Sequence, residues 1–261
     1  LVGLMFGQVL APPERPPVEH GAPVLDLSSV ELRHPGASGR PVSLSVREGE
    51  VIGLAGLEGS GQRAFLRTCA GLLQPAAGRV GLAGRDLTGR GYRDFLSAGV
   101  YYLPAGRLEE GLVAGLTITE HFALTRGDRA RLVDWGEARG LADRKIADNF
   151  IRGTPTTNAD ALSGGNQQRL LLAMMPAEVR LLLMEHPTRG LDIESAAWVW
   201  TRLLERLGTG TAIVFASADL DELLKYSDRI LVFFAGVLKA VDARETSGEE
   251  LGHLIGGKES A

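Results

Sequence analysis

Cysteine is all but absent from this chain, and several function classes leave with it. Cys69 is the single thiol among 261 residues, so no internal disulfide can form, and a reducing compartment fits. It lies in an apolar stretch with Phe65, Leu66 and Leu73, which reads as a buried structural thiol rather than a reactive one. Long hydrophobic runs are missing as well: no stretch approaches the ~20 apolar residues that cross a bilayer. The first ten residues are apolar, but they lack a basic leader region and a small-residue cleavage site, which argues against a signal peptide. Positive charge is not in excess either. The net charge is −4, whereas a nucleic-acid binder carries a basic domain or stripe, so no nucleic-acid partner is expected. The basic run Arg126 to Arg131 is broken by Asp128 and reads as a solvated face.

What is present is ordinary globular material, 44% hydrophobic and 23% charged, enough for one large core or two small ones. Residues 11–23 hold Pro12, Pro13, Pro16, Pro17 and Pro23 with charges between them, a composition that predicts a stiff, extended linker without a core. Ahead of it, Leu1, Leu4, Met5 and Gly7 match Leu251, Leu254, Ile255 and Gly257 at an offset of 250 positions. With Leu1 in place of an initiating Met, the expectation is that residues 1–10 are the tail of a preceding homologous domain. The alternative is a coincidental amphipathic scrap.

Past the linker, Ser43–Arg47 has a period of two, and Val51 to Ala55 is a continuous buried run. Arg63 to Leu73 reads as a helix; Arg79 to Leu82 and Val100 to Leu103 read as strands. Residues 117–160 are helical and polar, without a strand signal. Buried strands return at Leu181–Met184 and Ala212–Ala216, separated by a helix whose face carries Trp200, Leu203, Leu204 and Leu207. Ile230 to Phe234, a turn at Ala235-Gly236, and Val237 to Ala240 form a last hairpin. Strands alternating with helices predict an α/β fold with a mainly parallel sheet covered on both faces and a helical insertion between two of its strands.

Two segments carry chemistry. The run Val51–Ala55 enters Gly56-Leu57-Glu58-Gly59-Ser60-Gly61-Gln62-Arg63 and then a helix. Such a loop turns backbone N–H groups and a helix dipole toward phosphate. A working phosphate loop is G-x-x-x-x-G-K-[ST], with Lys on the β/γ-phosphates and the hydroxyl on Mg²⁺. Here Gly56, Gly59, Ser60 and Gly61 keep the cradle, while Gln62 replaces the Lys and Arg63 the Ser/Thr. The lost charge-assisted contact is worth about 1.5–3 kcal/mol. The second segment is Leu162-Ser163-Gly164-Gly165-Asn166-Gln167-Gln168. It offers a hydroxyl and two bare glycines at the start of a helix, where the dipole favours an anion. A blander reading makes Ser163 an ordinary helix cap.

Together with Leu181–Glu185-His186-Pro187-Thr188-Arg189-Gly190-Leu191-Asp192 and Ser227-Asp228-Arg229-Ile230, these segments resemble an ATP-binding-cassette (ABC) nucleotide-binding domain. The resemblance covers about residues 24–257, with a helical subdomain at about 115–178. It implies a P-loop NTPase-like cassette whose mainly parallel sheet carries an antiparallel β edge. Asn166-Gln167-Gln168, Pro187–Asp192 and Pro104-Ala105-Gly106-Arg107-Leu108-Glu109-Glu110-Gly111-Leu112 are similar to simple-sugar and nucleoside importers, whose ATPase subunit carries two cassettes in one polypeptide. In that pattern Ala105 and Gly106 replace an acidic pair, and most cassettes place a Gln where Ala105 stands.

The resemblance also exposes losses. Glu185 stands where a Mg²⁺-associated Asp belongs, His186 where the general-base Glu belongs, and Ala218 where a switch His belongs. An imidazole can act as a base, but His186 reads better as space-filling where a carboxylate is no longer required. Arg63 brings a positive charge from the metal side of the loop. Phosphoryl transfer needs its positioning and electrostatic parts together, so this domain's own site is expected to hold nucleotide weakly and not to hydrolyse it, with no metal ligands of its own. The signature implies the opposite role. Ser163, Gly164, Gly165 and Gln167 would serve ATP and Mg²⁺ bound by a partner cassette, with Asp192 facing that partner. The implied partners are an upstream cassette in the same polypeptide, a membrane permease and, indirectly, a solute-binding protein, at the cytoplasmic face of the membrane. Two other readings stay open: a self-contained soluble ATPase, and a structural pseudo-enzyme without nucleotide. No clear aromatic precedes the glycine loop for adenine stacking; His34 is the candidate.

Overall fold

The computed structural model describes residues 13–34, 40–125 and 132–258. The proposed tail at residues 1–10 and the basic run 126–131 lie outside them. The chain forms two compact units, one of residues 13–103, 178–187 and 201–258, the other of residues 104–177 and 188–200.

The larger unit holds two sheets. An antiparallel sheet has the order β2-β1-β4-β5, built from β1 (Pro23–Glu31), β2 (Val42–Arg47), β4 (Ala77–Leu82) and β5 (Arg85–Asp86). The second sheet has six strands in the order β10-β9-β3-β8-β7-β6. In it β3 (Val51–Gly56), β6 (Val100–Leu103), β7 (Leu181–Glu185), β8 (Ala212–Ala216) and β9 (Arg229–Phe234) run parallel, and β10 (Val237–Asp242) closes the edge antiparallel to β9. Every residue of β7 and β8 is buried, as the apolar runs Leu181–Met184 and Ala212–Ala216 require of strands covered on both faces. Ile52, Leu54, Leu181, Leu183, Val214 and Leu231 turn one face into a core shared with Leu25, Leu27, Val80 and Leu82 of the antiparallel sheet. Helix α1 (Gln62–Cys69) contributes Phe65, Leu66 and Cys69 to the same core. Burial pushes the Cys69 thiol far up, in keeping with a structural role.

Sequence periodicity missed five elements here, among them the two-residue β5. Strand β1 begins on the last proline of the linker, and a register shift and the positive φ of Ser29 break its alternation. Helices α2 (Tyr92–Ser97), α7 (Leu220–Tyr226) and α8 (Gly248–Ile255) span at most eight residues, too few turns for a periodic signal. Gly53 shows what α7 demands of β3: a Cβ there would lie 2.5 Å from Ser227 Oγ and 2.8 Å from Leu223. Residues 13–22 form no helix and only reach a strand at Pro23, yet they are tied down. Arg15 donates to both oxygens of Asp228 at 2.5 Å, and Asp228 also accepts the Val51 amide at 2.9 Å.

The smaller unit is helical, with α3 (Ile118–Leu124), α4 (Trp135–Asp148) and α5 (Gly164–Ala173). Thr117 and Glu120 form a reciprocal capping box on α3, and Asp134 caps α4. Helix α6 (Ile193–Leu207) starts in this unit and ends in the larger one. Its Trp200, Leu203, Leu204 and Leu207 are all buried, the face that the sequence marks out.

Candidate nucleotide-facing site

The glycine loop leaves the end of β3 and enters α1. Gly56, Gly59 and Gly61 take φ values of 150°, 84° and 121°, a region that side chains rarely tolerate. That curl turns the chain back on itself, with Ser60 N donating to Leu57 O at 3.0 Å. The Phe233 ring lies under Gly61 and meets Phe65 edge-on at 5.8 Å. Gln62 does not extend outward as a lysine would; its Nε2 donates to Leu57 O at 3.2 Å, across the loop. His34 ends the described part of the β1–β2 connection.

Beside the loop, β7 delivers Glu185, only 5% exposed. Tyr102 of β6 donates its hydroxyl to Glu185 Oε1. Arg63 Nε lies 3.3 Å from that oxygen and Arg67 Nε 4.0 Å, while Arg67 also donates to the Tyr102 oxygen at 3.4 Å. Burial first, and the bond to Glu185 second, push the Tyr102 phenol up, so it stays a donor. A hydroxyl and an aspartate would suit Mg²⁺ here; a guanidinium does not. The residues beside this loop therefore do not fit a divalent cation.

The next two positions are held by structure. His186 has φ 47° and its amide donates to Ala216 O at 2.8 Å. Ser217 bonds Glu222, and Asp219 caps α7 through the amides of Asp221 and Glu222, with Ala218 between Ser217 and Asp219 in the chain.

In the smaller unit, a 3₁₀ turn at Ala159–Ala161 leads through buried Leu162 to Ser163, which occupies the N-cap position of α5. Its side chain makes no cap bond to the helix. Instead its oxygen accepts from Asn166 Nδ2 at 2.8 Å, and Asn166 Oδ1 accepts the Arg152 amide at 2.7 Å. In this arrangement the hydroxyl keeps its hydrogen for donation. Gln167, expected at the nucleotide, points inward: it is buried, and its Nε2 donates to the carbonyls of Leu162 at 3.0 Å and Ala159 at 3.3 Å. It fixes the turn that presents Ser163 and Gly164. Asp192 caps α6, accepting the Ser195 amide at 2.8 Å and the Ser195 hydroxyl at 2.9 Å.

Sequence reading gave Arg107 no role of its own. It opens a π-helical turn, Arg107–Gly111, donates to Gln168 Oε1 at 2.9 Å and to the Arg189 carbonyl, and lies so near Gly164 that a Cβ there would come 3.3 Å from its Nη1. Desolvation lowers its pKa, yet a guanidinium stays charged. The signal was present in the Pro104–Leu112 motif, whose Arg survives where its acidic pair does not.

The family described as "ABC transporter" matches residues 40–189. The glucose import ATP-binding protein of Haloferax volcanii is 35% identical over 98% of this chain and 49% of its own length. The second ribose import ATP-binding protein of Rubrobacter xylanophilus is 36% identical over 96% of this chain and 49% of its own. The guanosine import ATP-binding protein of Bacillus subtilis is 32% identical over 98% and 52%. The chain thus spans about half the length of the curated relatives it matches. Among solved structures, a dimeric ATP-binding cassette bound to ADP and phosphate superposes with a TM-score of 0.69 at 20% identity, covering 85% of this chain and all of its own. A metal-chelate type ABC transporter in an inward-facing conformation gives 0.72 at 14% identity, covering 90% of each chain. At these identities the likeness shows the fold, an ABC cassette with a parallel sheet core and an antiparallel sheet.

Proposed function

Because this chain belongs to the ABC transporter family, we propose that it is the second, degenerate cassette of the ATP-binding protein of a sugar or nucleoside importer. It lends its signature to ATP and Mg²⁺ held by an upstream cassette of the same polypeptide. One contrast supports this division. At the signature, Ser163 leaves its own helix uncapped and retains a donor, with two glycines behind it. At the glycine loop, Gln62 is folded across the loop and Arg63 stands against Glu185.

At the composite site Ser163 donates its hydroxyl to the terminal phosphate, and the first amides of α5 add the positive end of the helix. Such preorganised donors act where charge develops during phosphoryl transfer. Gln167 and Arg107 hold them in place. This chain's own loop does not hydrolyse ATP. The segment Pro104–Leu112 and the exposed apolar side chains of Leu124, Leu132 and Trp135 form the side that meets the membrane permease. A solute-binding protein then supplies the substrate from outside. Among the described residues no helix is long and apolar enough to cross a membrane, which suits a peripheral subunit at the cytoplasmic face.

Substituting Ser163→Arg in the complete transporter tests this. Steady-state ATPase activity should fall by at least about tenfold, the loss of one or two charge-assisted contacts, while the chain stays folded. Unchanged turnover would refute signature donation.

A further inference from the structure

Position 63 deepens the reading of this chain as a cassette that does not hydrolyse nucleotide at its own loop, and the inference rests on that reading. A cassette loop ordinarily presents a hydroxyl there, and a divalent cation bridges that hydroxyl to phosphate. Here the second residue of α1 is an arginine whose Nε lies 3.3 Å from Glu185 Oε1, with Arg67 Nε 4.0 Å from the same oxygen and the Tyr102 hydroxyl bonded to it. We propose that this loop binds a nucleoside triphosphate without a divalent cation, the Arg63 guanidinium standing beside Glu185 in the place of the metal.

Three observations converge. Two guanidiniums, those of Arg63 and Arg67, stand within 4.0 Å of the same Glu185 oxygen. A metal would have to displace Arg63 and would still be repelled by Arg67. A phosphate meets the reverse situation, since both guanidiniums attract it.

Reach is the second. Glu185 is buried, but the Arg63 side chain is 54% exposed. A guanidinium offers five donors in a planar fork, so bonding a carboxylate on one side and phosphate oxygens on the other lies within its geometry. Arginine is the side chain best shaped for that double pairing.

The loop itself is the third. Gly56, Gly59 and Gly61 keep their left-handed backbone although the lysine is gone, so the amide cradle persists beside the arginine. Gln62, folded onto Leu57 O, adds no charge, while Arg63 and Arg67 bring two cations beside Glu185.

A fluorescent N-methylanthraniloyl ATP titrated into the full 261-residue chain, once with EDTA and once with MgCl₂, decides the matter. Binding in EDTA should be no weaker than in Mg²⁺. Arg63→Ala should weaken binding in EDTA by about tenfold or more, the loss of a charge-assisted phosphate contact, with circular dichroism confirming an intact fold. The pair Arg63→Ser and Glu185→Asp should make binding depend on Mg²⁺ and should retain Mn²⁺, read by electron paramagnetic resonance. Binding of the unaltered chain that needs Mg²⁺, binding in neither buffer, or an Arg63→Ala variant equal to the parent would each overturn the proposal. Phosphate release measured on the same samples separates the two ideas. Turnover would defeat the non-hydrolysing reading, whereas the EDTA comparison alone judges the metal-free site.

Discussion

Asp192 accepts the Ser195 amide and hydroxyl, and these bonds hold its carboxyl below the ordinary carboxylate range, the amide N–H contributing most. A depressed pKa in the folded state means that the stabilisation is present above the unfolded value, about 3.9, and fades as the pH falls through the folded one. Asp192→Ala should therefore lower stability at neutral pH by about 1 kcal/mol, the usual cost of losing a helix cap. Urea midpoints of parent and variant should differ at pH 7 and converge below about pH 4. Equal midpoints at pH 7 would show that the cap carries no weight. His186 is the opposite kind of residue. Its positive φ of 47° places an imidazole on a backbone better suited to glycine.

Between elements, α5 and the start of α6 meet at one glycine. A Cβ on Gly165 would stand 2.8 Å from Ser195 Oγ, whereas one on Gly164 would stand 3.3 Å from the end of the long Arg107 side chain. Gly165→Ala should cost about 1–3 kcal/mol, the range for overpacking, because Ser195 is also part of the Asp192 cap. Gly164→Ala should cost less, since a guanidinium tip can give way. Thermal midpoints rank the two, and Ser195→Ala added to Gly165→Ala should restore part of the loss through coupling of neighbours. No restoration would mean that the strain lies elsewhere. At this scale the sequence was most legible where apolar runs are long or strictly periodic. The strands β3, β7 and β8 and the buried face of α6 stand where the pattern puts them. The short helices α2, α7 and α8 were invisible because a turn or two carries too few residues to show a period. The bulged β1 was hidden because Ser29 interrupts its alternation.

Across the whole molecule, motif spacing marked out the glycine loop and the signature segment but not the direction of individual side chains. Gln167 belongs to the signature by sequence, yet its amide closes on Leu162 and Ala159. Arg63 and Glu185 are far apart in the chain, and only β7 lying in the same sheet as β3 brings them together. Arg107 likewise gained its role only when the fold placed it against Gln168 and Arg189. This interdependence bears on whether the lost chemistry can be rebuilt. Groups that act as a unit in phosphoryl transfer are grossly non-additive. His186→Glu alone should leave phosphate release at background, since its carboxylate would face a loop without lysine and a corner already held by Arg63. Hydrolysis should return only when Gln62→Lys, Arg63→Ser, Glu185→Asp, His186→Glu and Ala218→His are combined. It should then depend on Mg²⁺ and on Ser163 of a second copy, so Ser163→Arg in the rebuilt chain should abolish it. Release of phosphate by the single His186→Glu variant would break the account, because one carboxylate would then suffice where five replacements are held to matter.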